Sequence, residues 1–223
     1  MHQRKGKKIL IYFLLLITVG SINSANVNTL QFKKIKDINI VGLGDYDNMI
    51  ILNNIKNLNL SNIFLITKKE IQSQIDTNSL VEKYEIFKRY PSSLDIKIEK
   101  TKFLARINYK EKIFLLGSNG QLSKNDFFNN ELPFIFGNPN IDQFLNFKKI
   151  IDQSKFSYNE VEKFYYFSSN RWDLKLKNNI IIKLPSNHIE EALRLAFDFL
   201  HNNDFNNIKI VDARIENQII LND

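Results

Sequence analysis

From Ile9 to Ile22 the chain runs through fourteen residues without a charge, rich in Ile and Leu, behind the cationic cluster Arg4, Lys5, Lys7 and Lys8. A block of this kind engages a membrane. As a helix rising ~1.5 Å per residue it reaches about 21 Å, short of a hydrocarbon core of roughly 30 Å. Two outcomes stay open. The block is a signal-peptide core, with Ser21, Ser24 and Ala25 as small residues near a cleavage point. Alternatively it is a retained anchor over residues 9–27, carried on by uncharged residues to Val27 with Lys8 at the near interface. In both cases the cationic tail stays in the cytoplasm and the remainder is delivered to the far side.

Beyond residue 32 the periodicity shortens. Lys34 to Ile40 alternates with period two, which places Ile38 and Ile40 on one strand face, and Gly42 and Gly44 end the run. Asp47 to Lys56 reads as a helix with Met49, Ile50 and Leu52 as apolar positions. Thr67-Lys68-Lys69-Glu70 is a capping box opening a second helix to about Asp76. Leu80–Arg89 and Leu94–Lys100 read as strands around the turn Tyr90-Pro91-Ser92-Ser93. The order to residue 100 is strand, helix, helix, strand, strand. Ile38, Ile40, Ile55, Leu58, Ile71, Ile75, Ile96 and Ile98 are its expected core.

The second half is richer in strands. Phe103–Tyr109 and Ile113–Leu116 precede the turn Gly117-Ser118-Asn119-Gly120, and Leu132–Gly137 is a further buried run. A helix over Ile141–Gln153 carries Phe144, Leu145, Phe147, Ile150 and Ile151 at helical spacing. Phe164–Phe167, Trp172–Lys177 and Ile180–Leu184 suggest a meander turning at Asn178-Asn179. Asn187 is the expected cap of a helix from Ile189 to about His201, and strands at Ile208–Ile215 and Ile219–Leu221 close the chain. The fold class is α+β, with a change of pattern near residue 101.

Charge narrows the function. Of the net +7, four positive charges belong to the amino-terminal cluster, and the body holds few Arg among its basic residues. That is a poor phosphate-binding surface, so a nucleic-acid role is not expected. The chain has no Cys, which removes disulfides, thiolate metal sites and cysteine nucleophiles. His188 and His201 flank one helix, roughly 20 Å apart at ~1.5 Å per residue, and form no metal pair. Gly42-Leu43-Gly44 lacks the third glycine of a dinucleotide loop, and no phosphate-loop or nucleophile-elbow motif occurs. No catalytic residue, metal ligand, cofactor or small-molecule substrate is expected. The aromatic run Phe164-Tyr165-Tyr166-Phe167 with Arg171-Trp172 allows a stacking surface, but alternation along a strand assigns half of those rings to a core.

The segments in this order resemble the FtsQ/DivIB family of bacterial cell-division proteins. The resemblance is carried by Ile38-Asn39-Ile40-Val41-Gly42, by Asn62–Ile66 before the capped helix, and by Phe87–Lys100. Asn170–Leu176 and Val211-Asp212-Ala213-Arg214 complete it. It implies a cytoplasmic tail over 1–8, an uncleaved transmembrane helix over 9–27, a β-α-α-β-β POTRA domain over 33–101 and a mixed β-rich domain with flanking helices over 102–223. It implies a non-enzymatic, single-pass scaffold of the divisome in the inner membrane at the septum, its bulk periplasmic. The implied partners are FtsB-like and FtsL-like bitopic division proteins, the former donating a strand to the carboxyl-terminal edge. The partner-binding residues it implies are Arg214, Ile215, Asn217, Ile219, Ile220 and Leu221. Arg214 matches the family pattern directly, while Ile215 stands where an aromatic is usual and Asn217 where a Ser is common. The competing reading is a periplasmic assembly or secretion factor with one POTRA unit.

Overall fold

In the computed structural model, which describes residues 3–21, 34–124, 131–202 and 208–222, the alternating segment after residue 34 forms β1 (Asp37–Val41). Gly42 stops it at a φ of +122°, and a Cβ there would lie 1.7 Å from the carbonyl oxygen of Ile98. Only glycine lets the two backbones approach so closely. Helix α2 (Asp45–Lys56) buries Ile51 and Ile55, whereas Met49 and Ile50 face outward. The inward face is thus set one residue away from the expected Met49–Ile50 stripe, since i and i+4 share a face. Helix α3 (Lys68–Ile75) starts at the expected capping box: Thr67 accepts from the Glu70 N–H, and the Glu70 carboxylate accepts from the Thr67 N–H at 2.7 Å. The Thr67 N–H, together with the Thr67 hydroxyl donating to the same carboxylate at 2.8 Å, draws the Glu70 carboxyl below the usual carboxylate range.

Strands β2 (Val81–Arg89) and β3 (Ser93–Lys100) form a hairpin, and β1 joins β3 in parallel to give the order β1-β3-β2. Helices α2 and α3 share one core with this sheet. Ile55, Ile71, Ile75, Ile96 and Ile98 are buried as expected, while Ile38, Ile40 and Leu58 are only half-buried at its margin. Ile51, Leu60, Ile63, Ile66 and Leu94 fill the centre instead.

The remaining strands make one nine-stranded sheet in the order β12-β11-β10-β9-β8-β7-β4-β5-β6. They are β4 (Phe103–Tyr109), β5 (Lys112–Gly117), β6 (Leu122–Lys124), β7 (Phe134–Phe136), β8 (Val161–Tyr166), β9 (Trp172–Leu176), β10 (Ile181–Lys183), β11 (Ile210–Asp212) and β12 (Ile220–Asn222). Parallel pairings of β7 with both β4 and β8, and of β10 with β11, make it mixed. Helices α4 (Ile141–Gln153) and α5 (Ile189–Asn202) cover the face that carries Ile135, Phe164, Leu174, Ile182 and Val211. Asn187 does not cap α5, because the His188 carbonyl takes the first helical bond, from the Ala192 N–H at 3.2 Å. The expected strand over 208–215 shortens to three residues where the Asp212–Arg214 pair turns the chain.

The two sheets are joined by a polar seam. Glu82 accepts from the Thr101 hydroxyl at 2.9 Å and from the Ser118 hydroxyl at 2.7 Å. The Asn119 amide donates to the carbonyls of Ser79 and Val81, each at 2.9 Å. The Gly117–Gly120 turn therefore plugs into the start of β2. Helix α1 (Gln3–Ser21) carries the cationic cluster in its first turns. Among the described residues no helix is long and apolar enough to cross a membrane, and residues 22–27 of the expected span lie outside them.

Candidate functional site

Strand β12 is an end strand of the large sheet, and no strand among the described residues pairs with its outer side. It lies antiparallel to β11, with Ile210 opposite Asn222, Val211 opposite Leu221 and Asp212 opposite Ile220. The next strand inward fixes which groups face out. Ile181 N–H donates to the Lys209 carbonyl at 2.8 Å and Ala213 N–H to the Lys183 carbonyl at 2.9 Å, so the Lys209 carbonyl, Val211 and Ala213 address β10, while the Lys209 N–H reaches the Asn222 carbonyl of β12 at 3.3 Å. Ile210 and Asp212 then address β12 and meet Asn222 and Ile220. By the alternation of a β ladder, the N–H and C=O of Leu221 point away from the sheet. Its side chain packs on the core, while Ile220 is 47% exposed on the opposite face.

Between β11 and β12 the chain makes a turn closed by Gln218 N–H donating to the Ile215 carbonyl at 3.2 Å, with Asn217 at a φ of +57°. Asn is one of the few residues that tolerates this conformation. Arg214 folds back on Asp212: Nε lies 2.8 Å from Oδ1, Nη2 lies 2.5 Å from Oδ2, and the Arg214 N–H also donates to Oδ1. Hydrogen bonds from the Arg214 side chain hold the Asp212 carboxyl below the ordinary carboxylate range, and the same bonds raise the guanidinium. The six residues expected at a partner site therefore separate by role. Arg214, Ile215 and Asn217 form the turn, Ile219 and Leu221 anchor the edge to the core, and Ile220 presents its side chain outward.

A cleft of about 470 Å³ lies beside this turn, lined by Arg214, Ile215 and Asn217 on one side and by Glu191, Arg194 and Asp198 of α5 on the other. In the sequence Glu191 reads only as part of an acidic helix start, and Arg194 and Asp198 carry no signal of a site. Their spacing of three and four marks one helical face, but nothing local pairs that face with a turn sixteen or more residues away. Inward from the edge, Asp173, Lys183 and Asp212 sit in register across β9, β10 and β11, alternating in sign. Opposite charges directly across a ladder hold its register. Asp173 is buried, and burial raises its carboxyl above the usual range despite Arg171, whose Nε lies 3.3 Å from Oδ1.

The aromatic run resolves as a core element. Phe164 and Trp172 are buried, with Phe147 of α4 stacked on the indole at 4.7 Å and 6°. Phe167 is 38% exposed, under the Arg171 guanidinium at 4.1 Å. No group of three His, Asp or Glu side chains among the described residues is placed to hold a metal ion. The site's chemistry is main-chain hydrogen bonding at one edge, with an apolar side chain and a charged cleft beside it.

Two family models match. The POTRA domain of FtsQ type covers residues 33–100, and the carboxyl-terminal domain of the cell division protein FtsQ/DivIB covers residues 105–214. The chain is 28% identical over 214 residues to the cell division protein FtsQ of Rickettsia felis, spanning 93% of this chain and 79% of that protein. It is 29% identical over 192 residues to the FtsQ of Rickettsia bellii, covering 83% and 70% of the two chains. The cell division protein DivIB of Staphylococcus aureus matches at 32% over 81 residues, 35% of this chain and 18% of that protein. A solved structure, the major extracytoplasmic domain of DivIB from Geobacillus stearothermophilus, overlays 48% of this chain and 99% of its own at a TM-score of 0.33 and 12% identity.

Proposed function

Because this chain belongs to the FtsQ/DivIB family of bacterial cell-division proteins, we propose that it is a non-enzymatic scaffold of the divisome whose β12 edge receives a strand from an FtsB-like bitopic partner. In this reading residues 9–27 are an uncleaved anchor in the inner membrane, with residues 1–8 cytoplasmic. Residues 33–101 and 102–223 are the POTRA and β domains on the periplasmic side, and an FtsL-like protein accompanies the FtsB-like one at the septum.

The observation that carries the proposal is the outward main chain of Leu221 at an unprotected sheet end. An exposed edge pairs with other chains unless it is charged, bulged or covered, and β12 has no Lys or Pro. Strand addition draws affinity from main-chain bonds and specificity from neighbouring side chains. Here the side chains are Ile220 on the open face, together with Ile215 and the cleft. Arg214, engaged through Nε and Nη2 by Asp212, has Nη1 for a partner carboxylate.

The test is co-purification of the FtsB-like partner from membranes with wild type, Leu221→Ala and Leu221→Pro. Alanine loses packing but keeps the outward N–H; proline loses both without touching the β11 ladder. An edge bond lost with its acceptor left unpaired is worth about 1–2 kcal/mol, or roughly 5- to 30-fold in affinity. Partner recovery with folded Leu221→Pro equal to that with Leu221→Ala would exclude this edge.

A further inference from the structure

We propose that the end of the POTRA unit nearest its entry point docks on the lipid bilayer through Phe64, Leu65 and Tyr90; this rests on the reading of residues 9–27 as a retained anchor. The three are 57%, 71% and 59% exposed, an unusual concentration of large apolar side chains at one tip of a small unit. Their loop is not loosely held. Ile63 and Ile66 on either side are buried, and Asn62 accepts from the Phe64 N–H through its side chain at 2.8 Å and from the Leu65 N–H through its carbonyl at 3.2 Å. Lys88 adds a bond from its ammonium to the Ile63 carbonyl at 2.9 Å and another to the Ile66 carbonyl. The Phe64 ring stacks on Tyr90 of the β2–β3 turn with centroids 4.6 Å apart. The outward pose of Phe64 and Leu65 is therefore built into the turn.

The placement of this tip selects its occupant. Ile35 N–H donates to the Leu60 carbonyl at 3.0 Å and Lys36 N–H to the Ser92 carbonyl at 2.9 Å. Asp37 stands opposite Ser93. The chain thus enters the unit at the same end as the loop that carries Phe64 and the turn that carries Tyr90. Twelve residues, 22–33, separate Ser21 from Lys34, a tether of at most about 45 Å. A short tether holds its two ends at high effective concentration. Whatever surface Ser21 sits at, this tip, where the chain enters, is the part of the unit with the shortest reach to it. Aromatic rings and Leu suit the headgroup boundary of a bilayer. Lys34 and Lys36 at the entry, and Lys68 and Lys69 directly after the loop, are exposed and favour anionic lipid. Docking would set the POTRA unit upright on the membrane, and the polar seam at Glu82 and Asn119 would carry that orientation to the large sheet.

The natural chain has no Cys, so Leu65→Cys and, on the β9–β10 turn, Lys177→Cys each accept one environment-sensitive fluorophore on the full chain. The labelled proteins are reconstituted into phosphatidylethanolamine–phosphatidylglycerol vesicles with brominated lipid as quencher, and flotation is scored separately. The expected result is co-flotation of both, a blue shift and loss of emission at position 65, and neither at position 177. Adding Phe64→Asp and Tyr90→Asp should abolish the quenching at 65 while flotation persists. A floating protein with water-like, unquenched emission at 65 overturns the docking and leaves the anchor intact; that outcome would make the tip a protein-binding surface. A protein that fails to float overturns the anchor and the docking together.

Discussion

Phe147→Ala is the sharpest probe of how the large sheet is held together. Phe147 is 2% exposed, lies flat on Trp172 at 4.7 Å and meets Phe164 edge-on at 6.1 Å. Truncating a buried Phe costs about 3–5 kcal/mol, transfer and cavity combined, and the loss of its stacked partner ring is part of that cost. At a urea m-value of roughly 2 kcal/mol/M the midpoint falls by about 1.5–2.5 M. Trp172 is the chain's single Trp, so its emission in the full chain, kept in detergent micelles, reads this core and nothing else. The comparison is Phe167→Ala, which removes an exposed ring under Arg171 and should cost less than about 1 kcal/mol. Equal midpoints for the two variants, or an unshifted emission maximum in Phe147→Ala, would refute the core assignment and return these rings to a ligand-stacking surface.

Asn119→Ala removes two bonds across the seam, to the carbonyls of Ser79 and Val81, and a third from the Gln121 N–H at 3.0 Å; at about 0.5–1.5 kcal/mol each it should cost about 1.5–4.5 kcal/mol and split a joint thermal transition into two. Gly42→Ala forces a Cβ onto the Ile98 carbonyl at 1.7 Å and should cost about 3 kcal/mol or more, seen as lost amide-exchange protection in β1 and β3. Asp173, whose carboxyl is raised by burial, stabilises the fold below its unfolded value of about 3.9 and loses that contribution as pH rises through its higher folded value. Asp212, lowered by Arg214, does the reverse: its contribution is present above about 3.9 and is lost as pH falls through its folded value. Thermal melts against pH should show Asp173→Asn flattening the loss on the alkaline side of that point and Asp212→Asn flattening the loss on the acid side.

Local order was legible wherever neighbouring residues decide it. The capping box at Thr67 and Glu70, the β-α-α-β-β order, the helical stripe of Phe144, Phe147 and Ile151, and the apolar character of residues 219–221 all follow from periodicity and short-range hydrogen bonding, and each reappears in the fold. The family followed too, because a chain-long order of such segments is specific where any one of them is not. What local pattern cannot rank is how completely an apolar residue is buried. Ile38 and Ile40 alternate as well as any core strand, but β1 is a sheet edge and leaves them half-covered, while Ile63 and Ile66, in a loop without period, go to the centre. The same holds for the candidate site. Arg214 is drawn back onto Asp212 only by the turn that follows β11, and the charged face of α5 becomes the wall of a cleft only once that turn lies alongside. That Leu221 turns its backbone outward is decided two strands inward, by the parallel bonding of β10 to β11, because in a sheet each strand's free groups are those its neighbour leaves unused.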